Sequence, residues 1–489
     1  MNRLTRRDLL RNACVGAALA AGLPRAYATR TVAKDKRPNI VFLLSDDQRW
    51  DSLGCTGNPI CQTPHLDALA ANGTLFTNHF STTPICMTSR ASIFTGLHTR
   101  CHGIEDFSLP LSPALWDLCY PARIRGAGYH TGFIGKWGLG GDLPEAQFDY
   151  WKGFPGQGKY FPEGEPGPHL NNIMGDQAIE FIQSAPKGKP FCLSVSFKAP
   201  HVQDEDLRQY LYDPALEDLY KDITIPPPSQ AHPYFYNRMP EFNRVSEGRK
   251  RWQLRFSTSE AYQRSVKGYY RLITGMDLAI GRIMAALERN GLDQNTVVVF
   301  TSDQGVYNGE RGLAGKWLMH EESIRAPLIV HDPRVRSRLR GRRCDAMTLN
   351  IDFSPTLLSF AGAPVPPPLQ GRDLGPLVRG EHPRWRTECF FEHHFGGSRT
   401  PVIPASEAIR TRRWKYIRYV EPQPLYQELY NLENDPQELR NHACEARHAA
   451  VQEALTRRWQ TWRNALDTWR VDMTEPWKDP VAAGLETRP

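Results

Sequence analysis

Two unbroken apolar runs, far apart in the chain, restrict its fold more than any other feature of the sequence. The first is Asn39-Ile-Val-Phe-Leu-Leu-Ser45, entered from Arg37-Pro38, and the second is Thr296-Val-Val-Val-Phe-Thr301. A strand without polar alternation is covered on both faces, which places it in a largely parallel sheet between layers of helices. Both runs end in acid: Asp46-Asp47 after the first and Asp303-Gln304-Gly305 after the second. Residues 191–197 form a similar run that leads into Lys198-Ala-Pro-His201, residues 129–134 lead into Gly135-Lys136, and residues 328–330 form a shorter one. Ligands of open α/β sheets bind beyond the carboxyl ends of the strands, where these polar residues stand.

Helical spacing is plainest just before the second run. Val266, Tyr269, Tyr270, Ile273, Met276, Ile280, Ile283, Met284 and Leu287 repeat at three and four, and Asn290-Gly291 stops them. Strands and helices alternate to about residue 360, the pattern of an α/β layered core. Residues 203–265 are polar and broken by prolines (Ile225-Pro-Pro-Pro228), and read as a long excursion over the sheet edge. From about residue 376 the character changes. Trp414-Lys-Tyr-Ile-Arg-Tyr-Val420 alternates like an antiparallel strand, and a helical stretch runs through Trp459 to Leu466. The sequence thus divides into a core at residues 35–375 and a smaller carboxyl-terminal subdomain at 376–489.

Residues 1–28 read as a bacterial export signal: Arg3, Arg6, Arg7 and Arg11, an apolar stretch from Ala13 to Leu23, and the small-residue end Ala26-Tyr27-Ala28. Arg6-Arg7 ahead of Asp8-Leu9-Leu10 resembles the twin-arginine type and points to a periplasmic or secreted protein. The apolar stretch is short of the roughly 20 residues a spanning helix needs, so no integral membrane span is expected. Five arginines against one aspartate in that segment account for much of the +7 formal charge, and the remaining +3 makes no case for nucleic acid. Of ten cysteines none is spaced Cys-x-x-Cys, so zinc is not indicated, and disulfide pairing and oligomeric state stay open.

The chemistry is carried by a thiol and two sets of charges. Cys86 stands in Pro84-Ile85-Cys86-Met87-Thr88-Ser89-Arg90-Ala91-Ser92, followed by a stretch that reads as the first turns of a helix ending near Gly96. This places residue 86 at a helix amino terminus, where free N–H groups favour an anion. Asp46, Asp47, Asp303 and the amide oxygen of Gln304 make an all-oxygen set suited to calcium, less so to magnesium, rather than zinc. Arg90, Lys136, His201 and Lys316 make a basic set able to hold a tetrahedral anion and neutralise charge on a leaving oxygen.

The order of these patches, with Thr63-Pro-His-Leu-Asp-Ala-Leu69, Gly135-Lys136-Trp137, Gly315-Lys316 and Leu429-Tyr-Asn-Leu-Glu-Asn-Asp-Pro436, resembles the type I sulfatases over roughly residues 35–375 and into the closing segment. The resemblance implies an alkaline-phosphatase-like α/β fold, a large mixed sheet between helices with a small antiparallel four-stranded sheet after it. It also implies that a formylglycine-generating enzyme oxidises Cys86 to formylglycine (3-oxoalanine), whose hydrate attacks sulfur and then expels sulfate. On the family pattern Asp46, Asp47, Cys86, Asp303 and Gln304 hold calcium, Arg90 steadies the hydrate, and Lys136, Lys316 and His201 grip sulfate. Lys316 or His201 then serves as general acid for the leaving alcohol.

Three positions depart from that pattern: Thr88 for the usual Pro or Ala, Gly138 where the family has a histidine, and Gln304 for the commoner Asn. A sulfated carbohydrate is the expected substrate, hinted at by Trp317, His320, Arg325 and Glu392-His393-His394, each of which also has a structural explanation. Two other readings compete, a phosphate or phosphonate ester hydrolase of the same superfamily and an inactive glycan-binding protein with Cys86 unmodified.

Overall fold

The computed structural model describes residues 37–396, 402–420 and 424–480; the export signal expected at residues 1–28 lies outside the described residues. Strands β1 (Asn39–Asp46), β2 (Thr74–Phe80), β3 (His130–Lys136), β4 (Tyr150–Phe154), β5 (Phe191–Pro200) and β6 (Thr296–Ser302) are followed by a small hairpin, β7 (Tyr307–Asn308) and β8 (Ala314–Gly315). Then come β9 (Arg325–His331) and β10 (Arg342–Leu349). Except for the hairpin, these form one eight-stranded sheet in the order β10-β2-β9-β6-β1-β5-β3-β4. Only β9 runs against its neighbours, so the sheet is mixed but mostly parallel.

The apolar runs explain this arrangement. Along β1, Ile40, Phe42 and Leu44 pack on one layer with Met87, Ala91 and Phe94 of helix α2 (Cys86–Thr95), which follows helix α1 (Pro64–Ala71). Val41 and Leu43 pack on the other, against the helices Leu170–Ser184 and Ser259–Arg289. Fully burying each such side chain contributes about 1.5–3 kcal/mol, which fixes strand and register together. The helix seen in the sequence from Val266 begins earlier, because the Thr258 hydroxyl caps it by accepting from the Ala261 N–H at 3.1 Å. Ahead of it, the excursion at residues 203–265 contains the short helices Pro233–Arg238, Glu241–Arg244 and Glu247–Arg255, too brief to show a period.

Strands β11 (Glu388–His393), β12 (Ser406–Thr411), β13 (Trp414–Tyr419) and β14 (Gln427–Asn431) form a separate antiparallel sheet. One of its faces takes Leu455, Trp459, Trp462 and Leu466 of the helix Ala449–Thr468. The other packs on Phe80, Met347 and Leu349 of the large sheet and on Leu318 and Met319. The nine cysteines from Cys55 to Cys444 are free thiols, and no helix of the described residues is long and apolar enough to cross a membrane.

Candidate functional site

Four adjacent strands, β6-β1-β5-β3, run parallel and end at one edge of the sheet. Their carboxyl ends deliver Asp303 and Gln304, then Asp46 and Asp47, then Lys198 and His201, then Lys136. Strand β2 ends at the same edge, and the chain returns from it into α2, whose first residue is Cys86. No side chain caps that helix and no acid lies in its first turn, so the positive end of its dipole is left for an anion. Lys316 arrives from the hairpin side, where the Trp317 N–H donates to the Pro84 carbonyl at 3.2 Å and ties that segment to the Cys86 loop. All nine sequence-predicted site residues therefore converge, and each is buried.

Arg90 organises the centre. Its guanidinium donates to Asp303 Oδ2 at 3.1 Å, to Asp46 Oδ2 at 3.3 Å, to the Lys136 carbonyl at 2.8 Å and to the Ser196 hydroxyl. The Lys136 ammonium donates to Asp46 Oδ2 and, at 2.7 Å, to Gln157 Oε1. Lys316 Nζ lies 2.6 and 2.8 Å from the two oxygens of Asp47. Burial pushes the Asp46 carboxyl up, but the charges of Lys136, Arg90 and Lys316 together bring it far below the carboxylate range. Asp303 moves the other way, up to about 7, through burial and the charge of Asp46. Lys316 is held protonated, because Asp47 and Cys86 outweigh the burial that opposes its charge.

The acids fit a hard cation. Buried acceptors without a donor are rare and costly. Among the described residues Asp46 Oδ1 and Gln304 Oε1 are two of them, the Gln304 amide nitrogen being spent on Asp47 Oδ1 at 2.6 Å. His201 stands beside these acids. Its Nδ1 lies 2.7 Å from the Val202 carbonyl, which can only accept, so the ring proton sits there. Burial and Lys316 drive the imidazole well below its ordinary value, so the neutral ring turns the lone pair of Nε2 towards Asp47 Oδ2 at 3.5 Å. The Lys316 ammonium already meets that Asp47 oxygen, and ligand atoms of Asp46, Asp47 and His201 lie within 4.8 Å of one another, close enough to share an ion.

Two departures from the family pattern have structural readings. Gly138 has φ +77°, and a Cβ there would come within 2.6 Å of Arg90 Cδ, so the arginine fills the space a side chain at 138 would use. Thr88 turns its hydroxyl to the Ile104 carbonyl at 3.0 Å, inside a fully buried helix. Sequence reasoning missed Lys198, Gln157 and Ser196 as members of the site. Burial and the Lys136 charge lower the Lys198 ammonium to about 8. Lys198 was visible as the polar residue ending an apolar run; Gln157 and Ser196 gave no signal.

The residues expected to hint at substrate are mostly bound into the scaffold. His320 is buried between the Tyr307 hydroxyl at 2.6 Å and Glu428 at 3.0 Å. Arg325 stacks on Trp50 at 3.9 Å. His393 is fully buried, and Glu392 and His394 join Arg100 of helix α3 (Thr99–His102) and Glu407 in ion pairs. Trp317 alone stays beside the site.

The sequence model of the family Sulfatase matches residues 38–363, and that of N-sulphoglucosamine sulphohydrolase, C-terminal, matches residues 309–465. The chain is 28% identical to the N-acetylglucosamine-6-O-sulfatase of Bacteroides thetaiotaomicron, over 86% of this chain and 85% of that protein. It is 30% identical to an ulvan-active sulfatase of Formosa agariphila, over 79% of this chain and 73% of that one. Among solved structures it resembles a protein in complex with its substrate D-glucosamine-2-N,6-O-disulfate, with TM-score 0.76, 26% identity and coverage of 89% and 99%. The fold is shared with a phosphonate monoester hydrolase of Agrobacterium radiobacter, with TM-score 0.67, 24% identity and coverage of 88% and 96%.

Proposed function

Because this chain belongs to the sulfatase family, we propose that it releases inorganic sulfate from a sulfated carbohydrate, using formylglycine made from Cys86 and a calcium ion. The observation that carries the reading is the meeting of Cys86, at the amino terminus of α2, with three carboxylates and the cations Arg90, Lys136 and Lys316 at one sheet edge. The carbohydrate follows from the substrates named for the relatives. Residues 35–375 would form the catalytic domain and 376–489 its buttress. The twin-arginine-type signal at residues 1–28 would export the protein.

Asp46, Asp47, Asp303, Gln304 and residue 86 would hold calcium, which when bound supplies positive charge to a sulfate oxygen. Formylglycine supplies a nucleophilic hydroxyl in place of the thiol. The remaining work falls to side chains. An ammonium has three N–H donors. Lys316 spends two on Asp47 and Lys136 spends two on Asp46 and Gln157, leaving each lysine one for the anion or the ester oxygen. Lys316, kept protonated, is the group placed to hand a proton to the departing alcohol. His201, its Nδ1 proton committed to Val202, accepts or returns a proton only at Nε2. Arg90, with contacts to Asp303, Asp46, Lys136 and Ser196, holds the acids in register during turnover.

Co-expression with a formylglycine-generating enzyme, peptide mass analysis across residue 86 and sulfate release from a panel of sulfated sugars test the proposal. A modified peptide with calcium-dependent release of sulfate is expected. Release of phosphate or phosphonate in preference to sulfate, or activity with an intact Cys86 thiol, would overturn it.

A further inference from the structure

One polar cluster flanks the buried centre without belonging to it. Asp204 lies three residues beyond His201, and its carboxylate is 38% exposed where the side chains of Asp46, Asp47, Lys136 and Lys316 are at most 9% exposed. Arg251, 20% exposed, comes from the helix Glu247–Arg255 and lies 3.2 Å from Asp204 Oδ1. Its Nε donates to Glu247 at 2.9 Å, and its guanidinium stands 5.1 Å above the ring of Trp317. Trp317 adjoins Lys316 and holds φ +85°, a conformation a tryptophan keeps only when its surroundings enforce it. The Asp204–Arg251 pair thus bridges the two walls that carry His201 and Lys316.

Its chemistry is that of hydroxyl recognition. The buried Arg255 also donates to Asp204 Oδ1, at 3.1 Å, and is itself fixed by Gln209 at 2.9 Å. Among the described residues both arginines address Oδ1, which leaves Oδ2 as an acceptor, and the Nη2 protons of Arg251 as donors. Two arginines against Asp204 and Glu247 make the cluster neutral, and their positions are preset before any ligand arrives. A substrate anchored by sulfate beside Lys316 and His201 would meet these groups where its alcohol part leaves between the two walls. Paired, oriented donors and acceptors suit vicinal hydroxyls. An aryl ring would leave them unsatisfied.

Resting on the carbohydrate reading above, we infer that Asp204 and Arg251 form the subsite that reads the sugar ring bearing the sulfate, selecting a hydroxyl-rich ring over an aryl group. Neither residue touches the reacting atoms; they determine specificity.

The test compares Asp204→Asn and Arg251→Met with the wild-type, modified protein on monosulfated monosaccharides and 4-nitrophenyl sulfate. For either variant the ratio of sugar to aryl kcat/KM is expected to fall about 10- to 100-fold, carried mainly by KM, as for a site built to bond a substrate hydroxyl. Ratios within about threefold of wild type in both variants, each with a wild-type melting curve, overturn the subsite. So does wild-type turnover of the aryl ester without any sugar sulfate, which leaves sulfate-ester hydrolysis standing. Turnover of none of them overturns the proposed function itself.

Discussion

Replacing Gly138 with alanine tests whether Arg90 is held as tightly as its contacts imply. The new Cβ would lie 2.6 Å from Arg90 Cδ, 3.1 Å from its Nε and 3.6 Å from Lys136 Cε. The first of these is too close to survive, and Cδ is not a free end that can swing away. It is the stem of a guanidinium pinned by Asp303, Asp46, Ser196 and the Lys136 carbonyl. Two costs add. Holding alanine at φ +77° costs about 1–2 kcal/mol. Overpacking a rigid interior costs about 1–3 kcal/mol more. Gly188 separates them, because it has φ +82° and nothing within 4 Å of its Cβ position, so Gly188→Ala bears the first cost alone. Urea denaturation should show Gly138→Ala less stable than Gly188→Ala by about 1–3 kcal/mol. Sulfate release should separate the two further. A displacement of about 1 Å at a positioned group costs on the order of 100-fold in rate, so Gly138→Ala should lose that much kcat while Gly188→Ala keeps its activity. Gly138→His, which restores the family residue, should fare worse still. If Gly138→Ala matches Gly188→Ala in both stability and kcat, Arg90 is mobile and the reasoning fails.

Other consequences are open to measurement. Calcium at millimolar concentration should raise the unfolding temperature of wild type, and should do so far less for Gln304→Leu, which removes the unpartnered amide oxygen; equal shifts would show that Gln304 takes no part in holding the ion. The peptide containing residue 86 should be about 18 Da lighter than its cysteine form after modification, and Cys86→Ala should abolish sulfate release while leaving the melting curve within about 1 kcal/mol of wild type. For His394, burial opposes protonation, but Glu407 and Glu392 raise its pKa above the ordinary 6.5. The stabilisation from that charge is complete below about pH 6.5 and lost as pH rises through the raised folded value. His394→Gln should therefore be more destabilising at pH 5.5 than at pH 9 by denaturant titration, and a pH-independent loss would mean that the imidazolium contributes nothing.

The sequence was most legible where burial leaves a one-dimensional trace. Strands β1 and β6 lie inside the sheet and keep unbroken apolar runs, and β5 and β3 beside them are buried runs broken by a few polar residues, so the acids and bases at their ends could be placed at one edge without coordinates. Strand β10 is an edge strand whose first residues, Arg342 to Asp345, are partly exposed, so it leaves no apolar run in the sequence. Strand β13 is antiparallel, as its alternation implies, but it is covered on both faces. Tyr416 packs under the helix Ala449–Thr468, while Lys415, Ile417 and Tyr419 are buried on the side of the large sheet. Lys415 is affordable there because it meets Glu321 at 2.7 Å and Glu438 at 2.6 Å.

That buried charge belongs to a network no spacing rule could reveal, since its members come from segments distant in the chain. Arg311 is held by Glu322 at 3.0 Å and by the Glu438 carbonyl at 2.9 Å, His320 by Tyr307 and Glu428, and Glu321 by Arg410 at 2.9 Å. Arg311 precedes Lys316 and the other two follow it, so the small sheet and its closing loop grip the lysine's segment on both sides. Breaking a buried pair by removing one partner costs about 3–5 kcal/mol, far more than an exposed pair is worth. The carboxyl-terminal strands therefore do more than cover an edge. They fix the backbone that brings the Lys316 ammonium onto Asp47, and through it one wall of the site.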